Sequence, residues 1–519
     1  MYSFKKVKLT HLIFILIICP FNNYMFSQDS EKLIIQNERI EFEFKFLDRN
    51  YWAIKNKKRI LVINDFETGD KLIWKFKLLD LKLNLLSENE INLDRSYRIK
   101  DHFSIEDNIF ILYKKDYSND KEYKIIIINS IDNSIKEYQI HTPFSIKVTQ
   151  IKYISGNIIL SGKSNQNRSI VVLYDTISNQ LKILSGFYKL NQEILNIKIG
   201  DSNNYFSIIY VASNSNNVSE LVKKNYTVEG NEIASLGIKS NNYSFIDGKF
   251  YNINNNQHIV IGTYGRKNSR YTRGLFFSKI ENDQQTFIKF YDYSKMENFF
   301  YYLKDKKEKK IKKKIVKKDN LKKNMKLSYN LIIDDVNEND SLFLISGESY
   351  FEEYNERGFY PTITFYNAYS GNYDKALDPN FSGYNHTHSI IAAFNIDGEL
   401  IWDNSIEITD IISFEEKKYV KISINDNTKD IAMIYFHKGV ISLKIINERR
   451  NLTDKKSYPL NPLKKNDIIL ESEKLMEGLE HWYDNYYFTY GIQKIRNIKD
   501  NDIKLKRRVF YINKIQLNN

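Results

Sequence analysis

The chain has 519 residues, a net charge of +13, 14% aromatic and 42% hydrophobic residues, 6 prolines and 1 cysteine. That much apolar material excludes a disordered chain, and the length allows one large repeat fold or several domains. A single cysteine excludes a disulfide framework and a cysteine-ligated zinc site.

The N-terminus reads as a targeting segment. Lys5, Lys6 and Lys8 precede an apolar run at 12–18 that is too short to span a bilayer. Cleavage is expected after Ser27, so 1–27 is a signal peptide and the mature chain starts at Gln28. Met25 and Ser27 meet the small-residue rule only in part. Cys19 lies inside this segment. A lipidated cysteine wants a small residue before it, and Ile18 departs from that. No later segment is apolar enough to span a membrane. The expectation is an exported chain that is periplasmic, on the cell surface or secreted.

The mature chain opens with LIIQNERIEFEFKF at 33–46, where Glu41, Glu43 and Lys45 alternate with Phe42, Phe44 and Phe46. A repeated unit follows. Its clearest copy is 151–185, with apolar strands at 157–161, 169–174 and 181–184 and polar Gly, Asn, Ser and Asp between them. Other copies run through QHIVIG at 257–262, SLFLISG at 341–347 and YYFTYG at 486–491, each an apolar strand that ends on Gly. Such units predict an all-β fold, a β-propeller of about seven or eight four-stranded blades at roughly 40–50 residues each. The last unit lacks an outer strand. The alternating strand at the mature N-terminus could supply it and remove an exposed edge. The competing architecture is two smaller β domains split near Lys304.

The charge is local. The leader contributes +3, and residues 304–326 hold 13 lysines against Asp305, Glu308 and Asp319. The rest of the chain balances to zero. Met296, Phe299, Phe300, Leu303, Ile311, Ile315 and Val316 recur at three- and four-residue spacing through this stretch, which predicts an amphipathic helix or a helical pair broken near Asp319. The domains are therefore 28–293 for the first blades, 294–327 for a basic helical insertion and 328–519 for the remaining blades. Lys309, Lys310, Lys312, Lys313, Lys314, Lys317 and Lys318 could dock on an anionic surface. The alternative is a solvated helix packed on the propeller by its apolar stripe. Nucleic acid is not expected, because export removes that partner and arginine is absent from the run.

Residues 350–388 read as the longest inter-strand loop. Tyr350, Tyr354, Tyr360, Tyr366 and Tyr384 stand out in it as ligand-binding candidates for a sugar, a peptide or a partner protein. The alternative is an insertion packed on itself. His386 and His388 would share a face of an extended strand and could bind a metal, with Glu348, Glu352 or Glu353 adding a carboxylate. No nucleophile elbow, zinc-helix motif or phosphate-binding glycine loop is present, and no cofactor is implied.

Residues 62–74, VINDFETGDKLIW, resemble the Asp…Thr-Gly-x-x-x-x-Trp repeat of quinoprotein-like β-propellers, and 393–402, AFNIDGELIW, give a shorter match. The resemblance implies that Trp74 and Trp402 dock one blade on the next. It does not imply a quinone cofactor. The second half, with its lysine-rich segment before Gly347-Glu348-Ser349-Tyr350, is similar to exported proteins of the Bacteroidota, which implies a compartment and no activity. The leading expectation is a non-enzymatic propeller that binds an envelope protein or glycan through the aromatic loop and the basic helix. The rivals are a polysaccharide- or peptide-acting hydrolase or lyase, with Glu348, Asp397 and Asp484 available, and an envelope assembly scaffold.

Overall fold

The computed structural model describes residues 33–518 except 70, 117–120, 201, 241, 255, 268, 322–324, 356–365, 368–371, 374–379, 448–449, 452, 474–475 and 500–505. Seven antiparallel sheets follow one another along the chain at 48–94, 97–141, 147–183, 192–238, 244–292, 330–407 and 421–459, and an eighth lies at 467–517. We number them blades 1–8. Each of blades 1–5 has four strands in chain order, and the first strands of blades 1–4 touch in succession, so the first strands line the axis. The fold is an eight-bladed β-propeller.

The eighth blade takes its outer strand from the N-terminus. Ile34–Glu43 pairs antiparallel with the last strand, Lys506–Leu517, from Ile34 opposite Leu517 to Glu43 opposite Val509. The ring thus has no free edge between its two chain ends, as the alternating N-terminal pattern requires.

The core lies between blades rather than inside any one of them. Ile109 and Ile111 of blade 2 face a cluster with blade 1 that holds Trp74, and Phe110 and Leu112, their sequence neighbours, face a cluster with blade 3. Eight such clusters occupy the eight interfaces. A middle strand is covered on both faces, so successive residues must both be apolar, which is why 109–112 and 170–173 read as continuous runs. The outer strand Leu85–Asp94 faces water along one side and alternates.

Between blades 5 and 6 the chain leaves the sheet pattern and forms one helix, α1 (Asp305–Asn320). Asp305 and Glu308 stand in its first turn and Lys317 and Lys318 in its last, the arrangement that complements the helix dipole. A single helix ends at Asn320, and no second helix follows among the described residues. No described helix is long and apolar enough to cross a membrane.

Candidate functional site

Antiparallel alternation puts the turns between second and third strands, and the connections from one blade to the next, on the same face of a propeller. Both of the chain's large insertions use these positions in or beside blade 6. The basic insertion is the connection into blade 6. The aromatic stretch lies between its second and third strands.

Both ends of that stretch are strand rather than loop. The second strand of blade 6 runs over Leu342–Tyr354 and the third over Phe381–Phe394, and they stay paired to Tyr354 opposite Phe381. Tyr350 and Tyr384 are therefore strand residues, because a hairpin with apolar faces extends beyond the sheet instead of opening at Tyr350. Tyr384 is buried, packs edge-on against Tyr350 at 5.3 Å and touches Phe381 at 5.1 Å. Burial, reinforced by the Glu416 carboxylate, raises the pKa of both phenols. Tyr354 is 41% exposed and donates to Glu352 at 2.9 Å. Phe351 and Phe414 are 47% and 52% exposed. Tyr360 lies outside the described residues, and Tyr366 begins a two-residue strand paired with Asn372–Tyr373.

His386 and His388 do not share a face. The register slips between them, with Ser349 opposite His388 and Tyr350 opposite His386, so the bulge at Thr387 turns one ring each way. His386 faces blade 7, 5.0 Å from Tyr419. His388 faces the basic insertion, stacked on Tyr302 and edge-on to Phe299 and Tyr329. The pair cannot ligate one metal ion, and no described group of three or more His, Cys, Asp or Glu residues could hold one.

His386 instead sits in a buried chain. Its Nδ1 lies 2.5 Å from Glu348 Oε1, and its Nε2 lies 3.1 Å from Ser413 Oγ. Glu348 Oε2 accepts the Tyr419 and Val420 N–H groups at 2.9 Å each. The order Ser–His–Glu has the spacing of a charge-relay triad. However, the single hydroxyl proton of Ser413 is donated to the Glu415 carbonyl at 2.6 Å, so it is not offered to His386. Ser413, His386 and Glu348 are all buried. The chain latches the 408–420 connection to the hairpin and gives no accessible nucleophile. Asp397 and Asp484 stand in turns on the opposite face, so the three carboxylates do not converge.

The basic insertion is fixed at its root. Asp403 of the outer strand of blade 6 accepts the N–H groups of Glu297 and Asn298 at 2.9 and 2.8 Å, and Ser405 Oγ accepts that of Tyr302 at 3.0 Å. Met296, Phe299, Phe300 and Ile315 are buried in the cluster between blades 5 and 6, and Leu303 and Ile311 are half-buried against it. Val316 departs from the predicted stripe and is exposed. Lys312 pairs with Glu308 at 2.6 Å, and Lys295 reaches Asp319 at 2.6 Å. Lys306, Lys307, Lys309, Lys310, Lys313, Lys314, Lys317 and Lys318 are exposed and meet no described carboxylate.

Two features escape sequence reasoning. The axis is stitched by side chains between first strands that share no backbone bonds. Lys421 pairs with Glu480 at 3.0 Å, and Lys55 donates to the His481 carbonyl at 2.8 Å. His102 lines this channel, open to solvent yet walled by protein, and the desolvation lowers its pKa. The second feature is a neighbour of the insertion. The blade 5 loop at 266–273 is joined to it where Thr272 and Tyr329 exchange backbone hydrogen bonds of 2.7 and 3.1 Å. Arg266, Lys267 and Arg270 in that loop are exposed.

No protein-family model and no curated relative matches the chain. Among solved structures it is similar to the β-propeller domain of the Trilobed protease from Pyrococcus furiosus, at 11% identity over 82% of this chain and 96% of that one, with a TM-score of 0.36. Polysaccharide lyase Uly1 is similar at 11% identity, 82% and 93% coverage and a TM-score of 0.36. Pyrococcus horikoshii acylaminoacyl peptidase is similar at 11% identity and a TM-score of 0.35, with 78% of this chain matched to 53% of that one. Likeness at this level assigns neither a family nor an activity.

Proposed function

We propose that this chain is an exported, non-enzymatic β-propeller that binds an anionic partner of the cell envelope at blade 6, through the basic helix and the aromatic hairpin beside it. One observation carries the reading. The helix packs on the ring through Ile311 and Ile315 and still turns to solvent eight lysines that meet no described carboxylate. Packing alone explains the stripe but not a lysine face that no described acid neutralises. Glu348 is tied up in the latch, and Asp397 and Asp484 lie away from it, so these three carboxylates do not form the pair that a hydrolase or lyase would use.

The test is retention of envelope components by the immobilised mature chain at low and high salt. The comparison is a variant with Lys309, Lys310, Lys313, Lys314, Lys317 and Lys318 all changed to Glu. A component held by the parent, lost by the variant and lost at high salt supports docking through the helix. A component held equally by both at high salt removes the helix from the function.

A further inference from the structure

The lysine helix is not alone. The loop 266–273 carries Arg266, Lys267, Arg270 and Arg273 and no acid, and among the described residues only Arg273 is neutralised, by Asp292 at 2.6 Å. Thr272 ties this loop to Tyr329 through two backbone bonds, and its Oγ1 accepts the Tyr293 hydroxyl at 3.0 Å. Tyr293 and Tyr329 both pack on Phe299 of the insertion root, at 4.6 and 5.3 Å. Two basic elements, the loop and the insertion that carries α1, are thereby anchored at one junction on one face. Tyr271, 54% exposed, lies between Arg270 and the junction.

We propose that these two elements form one composite surface whose occupant is a linear acidic polysaccharide, its carboxylates held by the arginine forks of the loop and the lysine fan of α1. This rests on the binding reading above and names its ligand. The shape selects the occupant. At about 100° and about 1.5 Å per residue the eight exposed lysines of α1 cover about half the helix circumference, over a length of about 18 Å. A flat bilayer meets only one line of such a fan, whereas a flexible polyanion follows it. A helix that inserts into a membrane interface needs a continuous apolar face toward the lipid. Here that face is covered by blades 5 and 6, and only Val316 at its edge and Leu321 past its end expose apolar surface. Arg266 and Arg270 present planar forks that match a carboxylate with two bonds, which lysine cannot do. The exposed ring of Tyr271 supplies the flat apolar surface on which a sugar ring packs.

The probes are polygalacturonate, a neutral linear glucan and vesicles of anionic phospholipid, each titrated against the full mature chain. The variants are Arg266→Gln with Arg270→Gln, and the six helix lysines Lys309, Lys310, Lys313, Lys314, Lys317 and Lys318 changed to Gln. All eight positions are exposed, and unchanged thermal melting confirms that each variant is folded. The expected result is salt-sensitive binding of polygalacturonate with none of the neutral glucan. Each variant should lose affinity by about fivefold per removed cation, hence about twenty-fivefold for the arginine pair. Arg266→Lys with Arg270→Lys keeps the charge and should lose part of that affinity. Parental affinity in the arginine variant overturns the composite surface. Vesicle binding without polygalacturonate binding overturns the polysaccharide assignment in favour of lipid headgroups, and binding of neither overturns it outright. In every case the envelope-retention comparison judges the broader binding reading separately.

Discussion

Tyr302 lies flat on His388, with ring centroids 3.7 Å apart and planes 3° from parallel. This stack joins the root of the basic insertion to the third strand of blade 6. Burial pushes the His388 pKa down to about 3, so the ring is neutral and stacks without a charge to solvate. Its Nδ1 lies 2.9 Å from Thr387 Oγ1, and its Nε2 has no partner among the described residues.

His388→Phe keeps the stack and removes the unpartnered nitrogen. At neutral pH the variant should match the parent in stability or exceed it by up to about 1 kcal/mol. The pH dependence has a definite sign. The folded pKa is depressed from 6.5 to about 3, so the unfolded chain takes up the proton first and the parent loses stability as pH falls through that window. Urea unfolding of both proteins at several pH values should show a flatter acid limb in the variant. An unchanged limb would mean that His388 titrates freely.

Asp403 pulls the other way. Burial raises its pKa from 3.8 to about 6, against the lowering effect of the Asn298 and Glu297 N–H groups. The native state holds this proton more tightly, so Asp403 contributes stability at low pH that is lost as pH rises from about 3.8 to about 6. The His388 shift is the larger, so the acid limb of the parent should follow His388. At pH above 7, Asp403→Asn leaves one amide oxygen for two N–H donors and should cost about 1–3 kcal/mol. Hydrogen exchange at Glu297 and Asn298 should speed up with it. Slow exchange in the variant would show that Phe299 and Phe300 hold the root without the carboxylate.

Trp74 is buried between blades 1 and 2, 5.5 Å from Trp52 and edge-on to Tyr113 at 4.8 Å. Trp402 sits likewise in the cluster shared by blades 6 and 7. Truncation of either should open a cavity at a blade interface. Trp74→Ala is expected to cost about 3–5 kcal/mol in chemical denaturation. A loss below about 1 kcal/mol would mean that the two blades close over the gap.

The closing strand carries a buried charge network. Arg39 pairs with Glu41 at 2.8 Å, Glu41 with Arg507 at 3.2 Å, and Arg507 also with Asp467, with none of these side chains more than 6% exposed. Arg39→Ala leaves Glu41 with one fewer cation in a desolvated site and should cost about 3–5 kcal/mol. The amides of Ile34–Glu43 should then exchange faster than those of blades 1–5. Protection equal to the parent's would show that strand pairing alone closes the ring.

The sequence by itself determined the fold class, the helical insertion and its apolar stripe. Those are local periodicities. A strand covered on both faces must be apolar at successive positions, as at Ile109–Leu112, and a packed helix must repeat its apolar residues every three or four, as Met296, Phe299 and Phe300 do. Tertiary structure decided the site. One bulge at Thr387 reverses a histidine that strand alternation would leave on its neighbour's side. Continued pairing to Tyr354 turns part of an expected loop into hairpin. Glu348, read as an available carboxylate, is held by amides 71 and 72 residues away. The arginines of 266–273 join the lysine helix only because Thr272 bonds to Tyr329 across 57 residues. Register, bulges and long-range pairing leave no periodic trace, because they depend on how separate strands meet.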